Sequence, residues 1–171
     1  MKLIDFKKQV PQPLREVTLL FLRDGERILL GMKKRGFGVG KWNGVGGKLE
    51  PGETVEAAAM RETWEEIGVK PKNLKRVAHL DFYFLHEPLD KNWNQRVITF
   101  FCDDWDGEPV ESAEIMPQWY SIHELPFQNM WSDDIHWLPK VLRGKFVEAE
   151  FGFSSDGSVA DFVLTEKELS G

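Results

Sequence analysis

The chain has 171 residues, 42% of them hydrophobic, with seven Trp and twelve Phe, enough apolar mass for one substantial core and too much for a mainly disordered chain. A net charge of −6 argues against a surface that tracks a nucleic-acid polymer, yet it suits a nucleotide held through metal ions. The apolar runs are too short to span a bilayer, no signal peptide is evident, and the single Cys102 excludes an internal disulfide and fits a reducing compartment. The expectation is one cytoplasmic domain over residues 1–171 that works as a monomer, with no membrane partner and no nucleic-acid polymer partner.

Residues 1–15 read as a lead-in, with Pro11 and Pro13 stopping regular structure before the first strand. Val17 to Leu22 and Arg27 to Met32 are strand candidates joined by Arg23-Asp24-Gly25-Glu26, a hairpin signature. GFGVGKWNGVGG, residues 36–47, holds six glycines in twelve positions and predicts turns. A helix is predicted from Thr54 to Ile67, with Gly68 placed for a left-handed cap. Strands are predicted at 76–85, 96–102 and 118–121, and a second helix from Asp133 to Leu142. Lys145 to Phe153 and Val159 to Leu164 flank Ser154-Ser155-Asp156-Gly157 and read as a terminal hairpin. Strands mixed with one or two helices predict a mixed-sheet α/β domain.

Within GGKLEPGETVEAAAMRETWEEIGV, residues 46–69, the helix crowds Arg61, Glu62, Glu65 and Glu66 into six positions. At about 100° per residue the three glutamates fall in one wedge, with Ala57, Met60, Trp64 and Ile67 opposite. That pattern predicts an apolar back seated on the core and carboxylates facing outward. A solvated acidic face is the bland meaning of such a wedge. The functional one is a site for a hard divalent cation, whose sharing relieves the repulsion among the carboxylates. Gly46-Gly47 upstream leaves backbone groups accessible where metal and phosphate would sit.

This stretch resembles the Nudix box, the signature of the Nudix hydrolases: Gly47, five residues, Glu53, seven residues, Arg61-Glu62, two residues, Glu65-Glu66, one residue, Gly68, then aliphatic Val69. A chance match of seven fixed positions in such a chain is on the order of one in a million. Thr63 departs from the pattern at a slot for a bulky aliphatic and touches packing rather than chemistry. The resemblance implies a Nudix fold, a mixed β-sheet sandwiched between helices (α/β/α). It implies Mg²⁺, with Mn²⁺ as a substitute, held by Glu62, Glu65, Glu66 and the Gly46 carbonyl. It implies a structural Glu53–Arg61 pair, and water attacking phosphorus in a nucleoside diphosphate derivative.

LLGMKKRGFGVGKWNGVGGK (29–48) and PFQNMWSDDIHWLP (126–139) are similar to members of the family that hydrolyse oxidised purine nucleoside triphosphates. That likeness implies hydrolysis of 8-oxo-dGTP, with 2-hydroxy-dATP and O6-methyl-dGTP as further substrates, to monophosphate and pyrophosphate, in nucleotide-pool sanitation. By position, Asn43, Asp133 and Asp134 would read the base edge, Trp131 would stack on it, and Thr18, Lys33, Phe37, Phe82 and Phe84 would line its pocket. Val45, Gly46, Gly47, Lys48 and Ser132 would complete the substrate contacts, and Glu114 would add a metal ligand. Each of these residues has an ordinary meaning too: Asp133-Asp134 as a helix cap and first-turn acid, Asn43 as a turn residue, Phe82 and Phe84 as core, Glu114 as a surface acid. A Nudix hydrolase for ADP-ribose or a dinucleoside polyphosphate, and a nucleotide sensor without turnover, remain as alternatives.

Overall fold

A computed structural model describes residues 1–169. In chain order it contains α1 (Leu3–Lys7), β1 (Arg15–Asp24), β2 (Arg27–Lys33), β3 (Trp42–Asn43), α2 (Val55–Ile67), β4 (Lys70–Lys72), β5 (Lys75–Phe84), β6 (Gln95–Cys102), β7 (Asp104–Asp106), β8 (Ile115–Ser121), α3 (Asp134–Leu142), β9 (Lys145–Phe153) and β10 (Val159–Glu168). The pairing is mixed, as the sequence predicts. β5 and β9 run parallel, while β1–β2, β2–β3, β2–β8, β4–β7 and β9–β10 are antiparallel. The fold is a mixed sheet with flanking helices. Among the described residues no helix is long and apolar enough to cross a membrane.

The chain forms two compact units, and β1, β5 and β6 each supply residues to both. The first comprises Met1–Val17, Val77–Ile98 and the chain from Ser132. Its strands lie in the order β10–β9–β5, and α3 packs on β9. The parallel register sets Ala78, Leu80, Phe82 and Phe84 opposite Val147, Ala149, Phe151 and Phe153, so one face of this sheet is apolar. α1 lies in the segment expected to be irregular, upstream of both prolines. Five residues make a helix only with tertiary help. Here Leu3, Phe6, Val10 and Leu14 cluster with Tyr83 and Leu85, and the Leu3 N–H donates to Asp161 Oδ2 at 3.4 Å.

The second unit comprises Thr18–Arg76 and Thr99–Trp131. β2 carries β8 along its length, with β1 paired at its Arg27 end and β3 at its Met32 end. The hairpin at Gly25 (φ 61°) forms as predicted. β8 begins at Ile115, three residues earlier than predicted, and runs through Pro117. The three-residue ribbon of β4 and β7 was not predicted, because three residues carry no readable period. α2 has the predicted limits: the Thr54 hydroxyl accepts from Ala57 N–H at 3.1 Å, and Gly68 (φ 70°) closes the helix.

Candidate active site

The orientation of α2 corrects the sequence reading. Its buried residues are Val55, Ala58, Ala59, Thr63 and Ile67. Met60 is 43% exposed and Trp64 52%, and Ala57 is exposed too, so of the expected apolar back only Ile67 reaches the core. On a helix with about 100° per residue, Glu62 and Glu66 project between Val55, Ala58 and Ala59. Two carboxylates therefore point inward, and only Glu65 is exposed. Small alanines beside them leave the helix close to its neighbours, and Lys70 covers Trp64 with its ammonium 5.1 Å from the ring centroid. Thr63 is fully buried and its hydroxyl donates to the Ala59 carbonyl at 2.7 Å, a packing role as expected.

The two glycines also do something other than leave room for phosphate. Residues 45–47 pair with β1 through Leu20 N–H to Val45 O (2.6 Å), Val45 N–H to Leu20 O (2.9 Å) and Thr18 N–H to Gly47 O (2.8 Å). A Cβ on Gly46 would stand 1.9 Å from the Thr18 carbonyl oxygen. A Cβ on Gly47 would stand 2.6 Å from Glu62 Cδ and Oε1. Gly46 thus admits a strand, and Gly47 admits a carboxylate.

Arg61 holds the acidic cluster together. Its Nε and Nη2 donate to Glu53 at 2.7 and 3.0 Å, Nη2 also reaches the Lys48 carbonyl at 3.0 Å, and Nη1 donates to Glu62 at 3.1 Å and Glu65 at 3.2 Å. The Glu53–Arg61 pair is the structural link the box implies. It holds the Glu53 carboxyl below its ordinary range.

Glu66 receives the Gly46 N–H and shares a hydrogen bond with Glu62. Burial first, and the Glu62 charge second, push its carboxyl up to about 8, opposed by Lys33. Two carboxyls in hydrogen-bond contact hold a proton between them, and a hard cation relieves the same repulsion. The oxygen-only donor set of Glu62 and Glu66 fits Mg²⁺ in that respect. The full ligand set is not assembled: among the described residues no group of three or more His, Cys, Asp or Glu is arranged to hold a metal ion. Glu65 lies on Arg61, and Glu114 Oε1 is gripped by Arg35 through Nε (2.9 Å) and Nη2.

Other candidates in this unit are placed as follows. Phe37, 70% exposed, lies on Trp131 with centroids 5.2 Å apart, Lys41 Nζ is 5.4 Å from the Trp131 ring, and Gly38 backs against the indole. Asn43 Oδ1 accepts from Gly44 N–H at 2.8 Å. The Thr18 hydroxyl is buried and exchanges hydrogen bonds of 3.3 and 3.4 Å with the N–H and carbonyl of Gly47. Val45 is buried in its bridge to Leu20, Lys33 is half-buried, and Lys48 is exposed.

The first unit contains the remaining candidates. Asp133 and Asp134 are 1% and 2% exposed. Asp133 stands at the N-cap of α3 but makes no side-chain cap bond; its Oδ2 accepts from the buried Trp137 Nε1 at 2.9 Å, and Oδ1 is buried without a protein partner. Burial pushes Asp133 up to about 6, against its hydrogen bonds with Trp137 and Asp134. A hydrogen bond between two carboxyls requires that one keep its proton. Ser132 Oγ donates to the Gly157 carbonyl at 2.8 Å. Half-buried Phe82 meets Phe153 edge-on at 5.2 Å, and half-buried Phe84 stacks on the same ring at 5.5 Å. Two contributors escaped the sequence reading. Trp137 is spaced i,i+4 from Asp133, a legible clue, whereas the Arg35–Glu114 pair spans 79 positions and has no local signal.

The NUDIX domain model matches residues 13–141, a span that contains the whole acidic helix and its glycine turn. The chain belongs to the Nudix family. It is 43% identical over 152 residues, 89% of this chain and 95% of the relative, to the oxidized purine nucleoside triphosphate hydrolase of Danio rerio. The protein of the same name from Mus musculus is 40% identical over the same shares. Among Nudix structures, the MutT protein from Bacillus halodurans superposes with a TM-score of 0.74, 24% identity and coverage of 88% of this chain and 97% of that one, which supports the fold.

Proposed function

We propose that this Nudix hydrolase is a Mg²⁺-dependent pyrophosphohydrolase of oxidised purine nucleoside triphosphates, releasing the monophosphate and pyrophosphate and so keeping damaged precursors out of DNA. The observation that carries the reading is the buried, adjacent acid pair Asp133–Asp134, in a chain whose relatives named for this activity match it over nearly their whole length. Oxidised guanine presents donors at N1, N2 and N7 and acceptors at O6 and O8. A neutral acid donates and an ionised one accepts, so a pair with one proton meets both kinds of group. Asn43 adds an amide to base reading, and Trp131 adds stacking worth about 1–3 kcal/mol per base. Thr18, Phe37, Val45, Phe82, Phe84 and Ser132 line the substrate, and Lys33, Lys48 and the Gly46-Gly47 backbone serve its phosphates.

In this reading Glu62, Glu65, Glu66, the Gly46 carbonyl and Glu114 are the metal ligands. When bound, Mg²⁺ neutralises charge on the phosphates and lowers the pKa of the attacking water. Arg61 keeps Glu62 and Glu65 oriented, and a carboxylate without a direct metal contact takes the proton of the attacking water. Both units belong to one catalytic domain that works as a cytoplasmic monomer, a setting in which the buried Cys102 thiol stays reduced.

The test is steady-state hydrolysis with Mg²⁺ of 8-oxo-dGTP, 2-hydroxy-dATP, O6-methyl-dGTP, dGTP and ADP-ribose, with products separated by ion exchange. The expected result is a much larger kcat/KM for a modified purine triphosphate than for dGTP, with monophosphate and pyrophosphate as products. A preference for ADP-ribose, or binding without turnover, would overturn the proposal.

A further inference from the structure

Lys34 and Arg35 are fastened to the segment Glu111–Glu114. Lys34 N–H donates to the Glu114 carbonyl at 2.8 Å, and Lys34 Nζ bonds Glu111 at 2.5 Å and the Ser112 carbonyl at 3.0 Å. The Ser112 hydroxyl accepts from Glu114 N–H and Ile115 N–H, both at 3.2 Å, which fixes the backbone under the Glu114 side chain. The side chain itself is turned to Arg35, whose Nε and Nη2 both grasp Oε1. Lys33 stands opposite Ile115 in the β2–β8 register, one residue from Glu114, and its positive charge favours the ionised form of both Glu114 and Glu66.

A guanidinium with two donors on Glu114 Oε1 takes up that oxygen and sets a positive charge against the carboxylate, so a cation approaching Glu114 must compete with it. We infer that Arg35 is a positioning residue that competes with the divalent cation for Glu114: it holds Glu114 aside in the metal-free protein, and the ligand set closes only when that ion pair opens. This rests on the reading in which Glu114 ligates the metal. It accounts for an incomplete metal site in a chain with an intact Nudix box. It also makes affinity for the ion depend on a residue outside the box. Because both side chains are largely solvated, the competition is modest, about two- to fivefold, the scale of an exposed ion pair.

The experiment titrates the full chain with MnCl₂ and reads free Mn²⁺ from its EPR signal, for wild type, Arg35→Gln, Glu114→Gln and the double variant. All four are checked for fold by circular dichroism. The expected result is tighter Mn²⁺ binding by Arg35→Gln, weaker binding by Glu114→Gln, and a double variant that matches Glu114→Gln. Unchanged or weaker binding by Arg35→Gln, with Glu114→Gln still impaired, would overturn the competition and leave the metal-ligand reading standing. Wild-type binding by Glu114→Gln would overturn the ligand reading and the inference with it.

Discussion

Gly46 and Gly47 are adjacent, yet alanine at each should fail differently. Neither has a positive φ, so alanine is allowed by the backbone at both, and the outcome depends on what the new methyl meets. At Gly46 it meets the Thr18 carbonyl at 1.9 Å, about 1.5 Å inside the 3.4 Å of ordinary contact. Backbone cannot step aside, so the 45–47 segment must leave β1, giving up the three hydrogen bonds of 2.6, 2.8 and 2.9 Å. At about 1 kcal/mol each the loss is about 3 kcal/mol, and a Tm lower by about 6–12 °C in a domain of this size. At Gly47 the methyl meets the Glu62 carboxyl at 2.6 Å, about 0.8 Å too close, and that is the movable end of a side chain. The fold should survive while the carboxylate shifts by most of an ångström, a displacement that costs turnover about 10²-fold. The assay is thermal unfolding beside kcat for 8-oxo-dGTP with saturating Mg²⁺. A Gly47→Ala protein with wild-type kcat, or a Gly46→Ala protein melting within 2 °C of wild type, would refute the reasoning.

Glu66→Gln should keep its Tm, because a neutral amide replaces an acid that already holds a proton, while kcat falls about 10²–10⁴-fold; turnover near wild type would remove Glu66 from the machinery. Asp133 titrates in the fold at about 6, above its unfolded value of 3.8, so the native state binds more protons between those values and loses stability as pH rises through them. Asp133→Asn escapes that penalty, so its urea midpoint relative to wild type should be higher at pH 8 than at pH 4, and a pH-independent difference would count against the burial argument. The same variant should reorder preference among purine triphosphates and leave the Mg²⁺ requirement unchanged, as read from kcat/KM across the substrate panel. Arg61→Lys, which cannot reproduce the two-nitrogen grip on Glu53, should cost about 1 kcal/mol or more and melt earlier; an unaltered melt would make the pair ornamental.

What the sequence reveals of this fold is its punctuation. Thr54 and Gly68 bracket α2 because a cap and a left-handed stop are single-residue chemistry, and Gly25 marks its hairpin for the same reason. Which way α2 faces was not legible. Hydrophobicity ranks Trp64 and Met60 as the buried side, whereas the helix is seated on Ala58 and Ala59, whose value is their smallness. Glu62 and Glu66 are half-buried against Gly46, Gly47 and Lys33, and no pattern within the helix announces those distant partners. α1 and the β4–β7 ribbon are too short to carry a period and exist through contacts made at a distance. Glu114 shows the complementary limit. Likeness assigns it a task, and only coordinates reveal that Arg35 already holds it.

The apolar residues of the N-terminal segment have consequences during synthesis. Leu3, Phe6, Val10 and Leu14 find their partners in Tyr83 and Leu85, and the Leu3 N–H finds Asp161, 158 positions later. At about 5–20 residues per second, the wait from Leu14 to Leu85, the last of those apolar partners, lasts about 4–14 s. Through that interval the nascent chain carries a greasy stretch with nowhere to go. Synthesis in chain order therefore works against this unit, since Leu3, Phe6, Val10 and Leu14 stay uncovered until Tyr83 and Leu85 have been made.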